Sequence, residues 1–164
     1  MIKLSAIALW TGVAALMSSP VFAAREEHRF EVSVDIPTLG FYVIPAESDW
    51  IHREQVLPWN IHTRSLEGMR KNFDVKHDTS AIHARLESEP YLSNGRDEQN
   101  IYLLVSFNGK TLSHDPQPLE VLSREQAVAG GRFALQIQPK VPAGGYKSGR
   151  YYGNVNLVFS AAAP

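Results

Sequence analysis

The 164-residue sequence predicts an all-β fold, an antiparallel β-sandwich. Apolar and polar residues alternate with a period of two in many short segments, and no long segment keeps the 3.6-residue period of an amphipathic helix. Breaks rich in Pro and Gly separate these segments, notably at 115–118 and 142–145. Many short strands with turn signals between them are typical of two packed antiparallel sheets.

The N-terminus has the pattern of a secretory signal peptide, which we assign to residues 1–23. Lys3 precedes an apolar run over 6–17, and Val21-Phe22-Ala23 supplies small residues for cleavage. The apolar run is short for a membrane-spanning helix, which needs about 20 residues. We therefore expect cleavage after Ala23, with Ala24 as the near alternative, and a mature chain that works outside the cytoplasm.

The charge balance and the lack of cysteine exclude several classes of protein. Cleavage would remove only Lys3, so that the mature chain carries 15 basic and 17 acidic residues. This near-neutral balance argues against a nucleic-acid binder, which usually carries a basic stripe, and against a polybasic membrane anchor. The absence of cysteine excludes disulfides, zinc knuckles and thiolate chemistry.

The most regular alternation lies near the mature N-terminus, over residues 28–36. Apolar side chains occupy the even positions Phe30, Val32, Val34 and Ile36, and polar ones occupy the odd positions Arg29, Glu31, Ser33 and Asp35. Pro37 follows and ends the predicted strand, because proline has no backbone donor. No partner strand lies close to it in sequence.

Further strands are predicted at short intervals along the rest of the chain. They cover residues 40–44, 73–76, 82–87, 101–107, 110–113, 119–122, 133–138 and 151–159. Asn108-Gly109 predicts a two-residue type I′ hairpin turn, since both positions need a positive φ. The stretch 50–72 has the least regular pattern, and we interpret it as a short strand combined with a loop.

No constellation of residues predicts an enzyme, a metal site or a cofactor. The six histidines, at 28, 52, 62, 77, 83 and 114, lack the i, i+4 spacing of a helical zinc site, although His77 and His83 could approach on neighbouring strands. His77, Asp78 and Ser80 lie close in sequence, but no Gly-x-Ser-x-Gly elbow accompanies them. Trp50, Trp59 and Tyr91 could line a sugar-binding face, and the favoured interpretation is that they fill core or interface.

The two ends of the mature chain resemble those of a known family. Val34-Asp35-Ile36-Pro37 ends the first strand, and Gly149-Arg150-Tyr151-Tyr152-Gly153-Asn154-Val155 opens the last one with a Gly-x-Tyr-x-Gly-x-Val pattern. In these features, in size and in strand density, the sequence resembles the major pilins of the alternate chaperone–usher (alpha) fimbriae, the type of colonization-factor fimbriae and cable pili. The resemblance spans nearly all of the mature chain.

This resemblance implies an immunoglobulin-like sandwich that is incomplete and is completed by donor-strand complementation. Residues 24–37 would be the donor strand and residues 38–164 the pilin domain. The side chains expected to insert into a neighbouring subunit are His28, Phe30, Val32, Val34 and Ile36. His28 stands where such pilins usually have an aliphatic residue, which leaves open whether this position is inserted. The acceptor groove would be lined by Val155, Leu157 and Phe159 and by a facing strand.

The function implied is that of a structural shaft subunit of a chaperone–usher fimbria, which supports adhesion to surfaces or host cells. Its partners would be copies of itself, a periplasmic chaperone and an outer-membrane usher. A tip adhesin is a further candidate partner, and no binding to nucleic acid is expected. The chain would pass through the periplasm to the cell surface. The alternatives are a minor or tip-associated fimbrial subunit, and a monomeric periplasmic β-sandwich that binds a ligand and uses 28–36 as a strand of its own closed sandwich.

Overall fold

The computed structural model describes residues 40–161, so the predicted signal peptide and donor strand lie outside the described residues. In chain order the strands of this range are β1 (Phe41–Pro45), β2 (Trp59–Asn60), β3 (Ser65–Leu66), β4 (Met69–His77), β5 (Ile82–Leu86), β6 (Tyr91–Leu92), β7 (Ile101–Phe107), β8 (Lys110–Thr111), β9 (Leu119–Leu122), β10 (Gly131–Pro139) and β11 (Leu157–Ala161). A 3₁₀ turn, Asp97–Gln99, and one α-helix, α1 (Arg124–Ala129), complete the elements of this range. No helix between residues 40 and 161 is long and apolar enough to cross a membrane.

The strands form two main antiparallel sheets, which confirms the predicted all-β sandwich. The larger sheet has the order β1-β4-β10-β7-β6, with β8 also paired to β7. The smaller sheet has the order β11-β5-β9, and β2 and β3 form a separate hairpin. Because strands adjacent in a sheet are often distant in sequence, the fold depends on long-range pairing, such as that of β4 with β10.

The hydrophobic core lies between the facing sides of the two main sheets. Along β4 and β5 the buried and less buried positions alternate, as expected for strands with one face in the core. The largest fully buried side chains come from both sheets: Phe107, Ile82, Leu122, Val75, Val105 and Val121. Three aromatic rings meet in this layer, with centroid distances of 5.0 Å for Phe107–Phe159 and 6.0 Å for Phe73–Phe107. Such contacts add to the stabilisation from apolar burial alone.

The hairpin turn predicted at Asn108-Gly109 is confirmed. Asn108 has φ 50° and Gly109 has φ 75°, the positive values that a type I′ turn requires. The Asn108 amide Nδ2 also donates to the carbonyl of Val121, 2.9 Å away, which ties the turn to β9. The return strand is shorter than predicted because the Ser113 carbonyl already accepts from Leu86 N in the other sheet.

The C-terminal strand begins later than the predicted 151–159, because the chain changes sheets within that segment. Tyr152 forms an isolated antiparallel bridge with Ser93, next to β6 of the larger sheet. Five residues later, Leu157 is paired with Leu86 of the smaller sheet. Between them Gly153 passes so close to the carbonyl of Tyr91 that a Cβ would collide with its oxygen. The glycine is therefore required by a close backbone approach, not by the regular strand that alternation predicted.

A bidentate ion pair joins β4 and β10 on the outer face of the larger sheet. Arg132 Nε and Nη2 donate to the two oxygens of Asp74, at 2.8 and 3.1 Å, and the two residues are directly opposite in the ladder. The guanidinium lowers the pKa of the Asp74 carboxyl below its usual value. Its stabilisation is therefore complete above the unfolded-state pKa and is lost as pH falls through the folded-state pKa. The pair is exposed, so its contribution is small.

The short helix α1 was not predicted from the periodicity, because six residues are too few to show a helical repeat. Its signal is instead a capping box at Ser123 and Gln126. Ser123 Oγ accepts from the backbone N–H of Gln126, and the Gln126 side-chain oxygen accepts from Ser123 N, 3.1 Å away. Ala127, the buried residue of the helix, anchors it to the core.

We expect Ser123→Ala to lower the free energy of unfolding by about 1 kcal/mol, the usual cost of removing an N-cap hydroxyl. Chemical denaturation of the mature chain would measure the change. Ser48→Ala is a suitable control, because the Ser48 hydroxyl is exposed and donates only to its neighbour Asp49. If the Ser123→Ala chain were as stable as the control, the N-cap would not make the expected contribution to the free energy of unfolding.

Candidate functional site

A large apolar groove opens on the inner face of the six-stranded sheet. Its cavity volume is about 1230 Å³. The floor consists of apolar side chains from strands β4, β6, β7 and β10: Met69, Phe73, Leu92, Ile101, Leu103, Leu135 and Ile137. No titratable side chain belongs to this floor, so the groove is suited to binding apolar groups and not to acid–base chemistry.

Two segments with little regular structure form the sides of the groove. The first wall is residues 50–57, between β1 and β2, and the second wall is residues 146–157, which lead into β11. At one end, Trp59 of β2 and Tyr146 of the second wall meet edge to face, with ring centroids 5.3 Å apart. Both residues line the groove, so this aromatic pair connects β2 to the second wall.

The first wall is held in shape by the side chain of Gln55. Its amide Nε2 lies within hydrogen-bond distance of the carbonyls of Trp50, Arg53 and Glu54, at 3.0, 3.1 and 3.3 Å. Trp50 packs edge to face on Phe73, with centroids 5.7 Å apart, and Lys71 Nζ lies 5.4 Å from the centre of the Trp50 ring. The wall is thus anchored both to the floor and to its own backbone, which favours a preformed groove.

The second wall is fixed at several points along its length. The Tyr151 hydroxyl donates to the carbonyl of Lys147, at 3.1 Å, and Tyr152 exchanges two backbone hydrogen bonds with Ser93. Farther along, the carbonyl of Asn156 accepts from Glu87 N at 3.0 Å. These contacts leave the backbone of 153–155 between two anchored points, alongside the groove.

Strand β11, which continues the second wall, offers a free edge. Its five residues pair with β5 on one side, and no strand of the range 40–161 pairs with its other side. Leu157, the first residue of β11, lines the groove. Unpaired backbone N–H and C=O groups on such an edge are a template for an additional strand.

The structure places the predicted acceptor residues in two environments. Val155 and Leu157 line the groove, in the second wall and at the start of β11. Phe159 packs on Phe107 and Phe73, with centroid distances of 5.0 and 6.4 Å, and is not among the residues that line the groove. The predicted donor residues His28, Phe30, Val32, Val34 and Ile36 lie outside the part of the chain that the structure describes.

Sequence reasoning missed most of the groove. The floor residues of β7 and β10 carry a visible signal, since Ile101, Leu103, Leu135 and Ile137 occupy alternate positions of predicted strands. The first wall carries none, because its apolar residues follow neither period. The groove is therefore defined by how the strands are arranged in space, which the alternation alone does not specify.

The histidines considered as ligands or catalysts do not converge in the described range. His77 ends β4 and His83 lies on β5, so the two residues belong to different sheets. His77 Nδ1 accepts the backbone N–H of Thr79 and Ser80, at 3.1 and 2.8 Å, and so caps the turn between the strands. Within residues 40–161 no group of three potential metal ligands comes together.

The three aromatic residues considered for a sugar-binding face do not form one surface. Trp50 packs on the groove floor, and Trp59 is half exposed beside Tyr146 at the groove end. Tyr91 is partly exposed beside Tyr102 of β7, with ring centroids 6.0 Å apart. Two of the three therefore belong to the groove.

Comparison with known proteins identifies a family and relatives of known structure. The model of the family "CS1 type fimbrial major subunit" matches residues 26–160. A solved structure of the CooA pilin subunit from enterotoxigenic Escherichia coli is similar in fold, with a TM-score of 0.59 and 19% sequence identity. The likeness covers 75% of this chain and 88% of that chain. A comparison with curated proteins finds no matching sequence.

Proposed function

The chain belongs to the CS1 type fimbrial major subunit family, and from this premise we propose that it polymerises by donor-strand exchange. It is a structural pilus subunit, a non-enzymatic kind of protein that builds fibres from its own copies at the cell surface. In the proposed mechanism the donor arm, residues 24–37 of one subunit, fills the groove of the next subunit and pairs with β11.

The observation that carries the proposal is an apolar groove bordered by an unpaired strand edge. The groove floor is apolar, and β11 has no second partner in the described range. The donor arm offers the complementary pattern, with Phe30, Val32, Val34 and Ile36 in one phase. An added strand would bury these side chains on the floor and satisfy the backbone groups of β11 at the same time.

The expected binding energy is large compared with the stability of the domain. Each of Phe30, Val32 and Val34 contributes roughly 1.5–3 kcal/mol when fully buried. Each ladder hydrogen bond adds about 0.5–1.5 kcal/mol net. Since a whole domain is stable by only about 5–15 kcal/mol, a subunit with an empty groove would be marginal.

The marginal stability of a subunit with an empty groove is the reason to propose two further partners. A periplasmic chaperone would occupy the groove with a strand of its own after export, and an outer-membrane usher would exchange that strand for the arm of the next subunit. Both partners follow from the need to cover apolar surface and a strand edge before assembly. Residues 1–23 would serve as the signal peptide that delivers the chain to the periplasm.

A synthetic peptide of residues 24–37 tests the proposed occupant directly. Added in excess to the mature chain, it should fill free grooves, shorten the polymers and raise the melting temperature of the remaining subunits, because it binds only the folded state. Size-exclusion chromatography and thermal scans would measure the two effects. The same peptide carrying Val32→Asp is the matched control, and equal activity of both peptides would count against groove binding.

A further inference from the structure

The net charge of the mature chain comes from the donor arm. Residues 24–37 contain four acidic residues, Glu26, Glu27, Glu31 and Asp35, against two arginines. The remaining mature residues, 38–164, contain 13 acidic and 13 basic residues, so the arm accounts for the whole net charge of −2. An arm with a net charge that its own domain lacks can be recognised by that charge.

The side of the arm that would face outward carries three of its four acidic residues. If Phe30, Val32 and Val34 point into the groove, the alternation places Glu27, Glu31 and Asp35 on the opposite side. Ser33 and the two arginines of the arm, Arg25 and Arg29, share that side, so that its net charge is −1. These charges would then lie at the mouth of the groove, between its two walls. Because these charged side chains are not buried on the groove floor, they can interact with charged residues at the groove mouth and so affect which strand binds.

The walls present cations at that mouth. Arg53 lines the groove from the first wall and Lys147 lines it from the second, and both side chains are exposed. Glu54 is the acidic residue among the groove-lining residues, so Arg53, Lys147 and Glu54 together give the rim an excess of one positive charge. In the described range the ion pairs are Lys76–Asp78 and Arg132–Asp74, which leaves Arg53 and Lys147 without an acidic partner there.

The backbone at both cations is held in place. Arg53 N donates to the carbonyl of Trp50 at 3.0 Å, and Gln55 bonds the Arg53 carbonyl. The Lys147 carbonyl accepts from the Tyr151 hydroxyl, as described above. Both charged side chains therefore extend from anchored backbone, one in each wall, so that no backbone segment has to be ordered when they pair with an incoming carboxylate.

We propose that Arg53 and Lys147 select the incoming donor arm through its acidic outer face, an inference that rests on the proposed donor-strand exchange. Attraction between exposed charges acts mainly on the association rate and weakens with salt. The apolar side chains then hold the strand once it has entered. The partner assigned to the rim is thus the arm of a second copy of this chain.

A charge-swap series in the full mature chain tests the inference, because arm and rim are present in the same molecule. The rim variant is Arg53→Glu with Lys147→Glu, the arm variant is Glu27→Lys with Glu31→Lys, and the third chain combines all four changes. At about 50 mM salt, where the screening length exceeds 10 Å, each variant alone should polymerise roughly two- to tenfold more slowly than the wild type. The combined chain should recover toward the wild-type rate, measured by light scattering.

Two controls separate charge selection from other causes. Arg96→Glu changes an exposed arginine outside the groove lining and should leave the rate unchanged. At about 0.5 M salt the differences among all variants should disappear through screening. An unaffected rim variant at low salt, or a combined chain slower than either variant, would overturn the inference.

The outcome also distinguishes this inference from the proposed function. If Val32→Asp blocks polymerisation while the charge variants assemble normally, strand donation stands and charge selection is wrong. If Val32→Asp polymerises as well as the wild type, strand donation is wrong and the inference falls with it.

Discussion

Val32→Asp is expected to abolish polymerisation of the mature chain while leaving its complex with a chaperone intact. Val32 lies at the centre of the apolar phase of the donor arm. Insertion would place a carboxylate against a floor made of side chains such as Leu103 and Ile137, where it finds no charged partner. Burying an unpaired charge costs several kcal/mol, and the Val32 contribution of roughly 1.5–3 kcal/mol is lost as well. Together these terms reduce the affinity for the groove by several orders of magnitude.

The neighbouring residue provides a matched control for this change. Ser33→Asp introduces the same carboxylate one position later, on the outward side of the predicted strand. It should leave fibres abundant, because a one-residue shift moves a side chain to the opposite face. Electron microscopy and sedimentation of both variants would give the amount of polymer. Polymer in normal amounts from Val32→Asp, or equal loss from both variants, would contradict the assignment of the strand.

The second large effect is expected in the core, from Phe107→Ala. Phe107 is fully buried and its ring contacts those of Phe73 and Phe159, which belong to different sheets. Removing such a ring typically lowers the free energy of unfolding by about 3–5 kcal/mol. This is a large part of the stability of an ordinary domain, so subunits should be degraded before they assemble.

Phe41→Ala is the comparison for the core substitution. Phe41 is 38% exposed at the edge strand β1, where its ring lies 5.6 Å from that of His77. Its loss should cost much less, and the variant should still yield fibres. Denaturant unfolding of the two variants would measure the difference. If Phe107→Ala were no more destabilising than Phe41→Ala, the aromatic layer would not join the two sheets as described.

The elements that were predicted correctly from the sequence are those with a clear local pattern. Strand β5 was predicted because one of its faces is buried, which forces alternation. Strand β7 was predicted from a run rich in apolar and aromatic residues that leads directly into a turn. The Asn108-Gly109 turn was predicted because its backbone conformation needs those residue types. The change of sheet between Tyr152 and Leu157 was missed, because alternation continues through a segment whose two ends pair with different sheets.

The candidate site depended on contacts that a linear pattern does not contain. Val155, Leu157 and Phe159 were expected at the groove because of a resemblance at the C-terminus. Val155 and Leu157 line the groove, whereas Phe159 packs on Phe107 in the core. The first wall was not expected, since Trp50 and Leu57 reach the groove from a loop without periodicity. Distances along the chain between wall and floor are long, and only the folded arrangement brings them together.

The loop between β8 and β9 has a practical consequence for a protein that forms long fibres. Residues 113–118 are exposed, contain the 115–118 break, and are not part of the groove lining. Lengthening an exposed loop is inexpensive, since each doubling of its length costs only about 0.6 kcal/mol in closure entropy. A foreign epitope inserted next to Pro116 would therefore be displayed once per subunit, at high density, and would leave the groove lining unchanged.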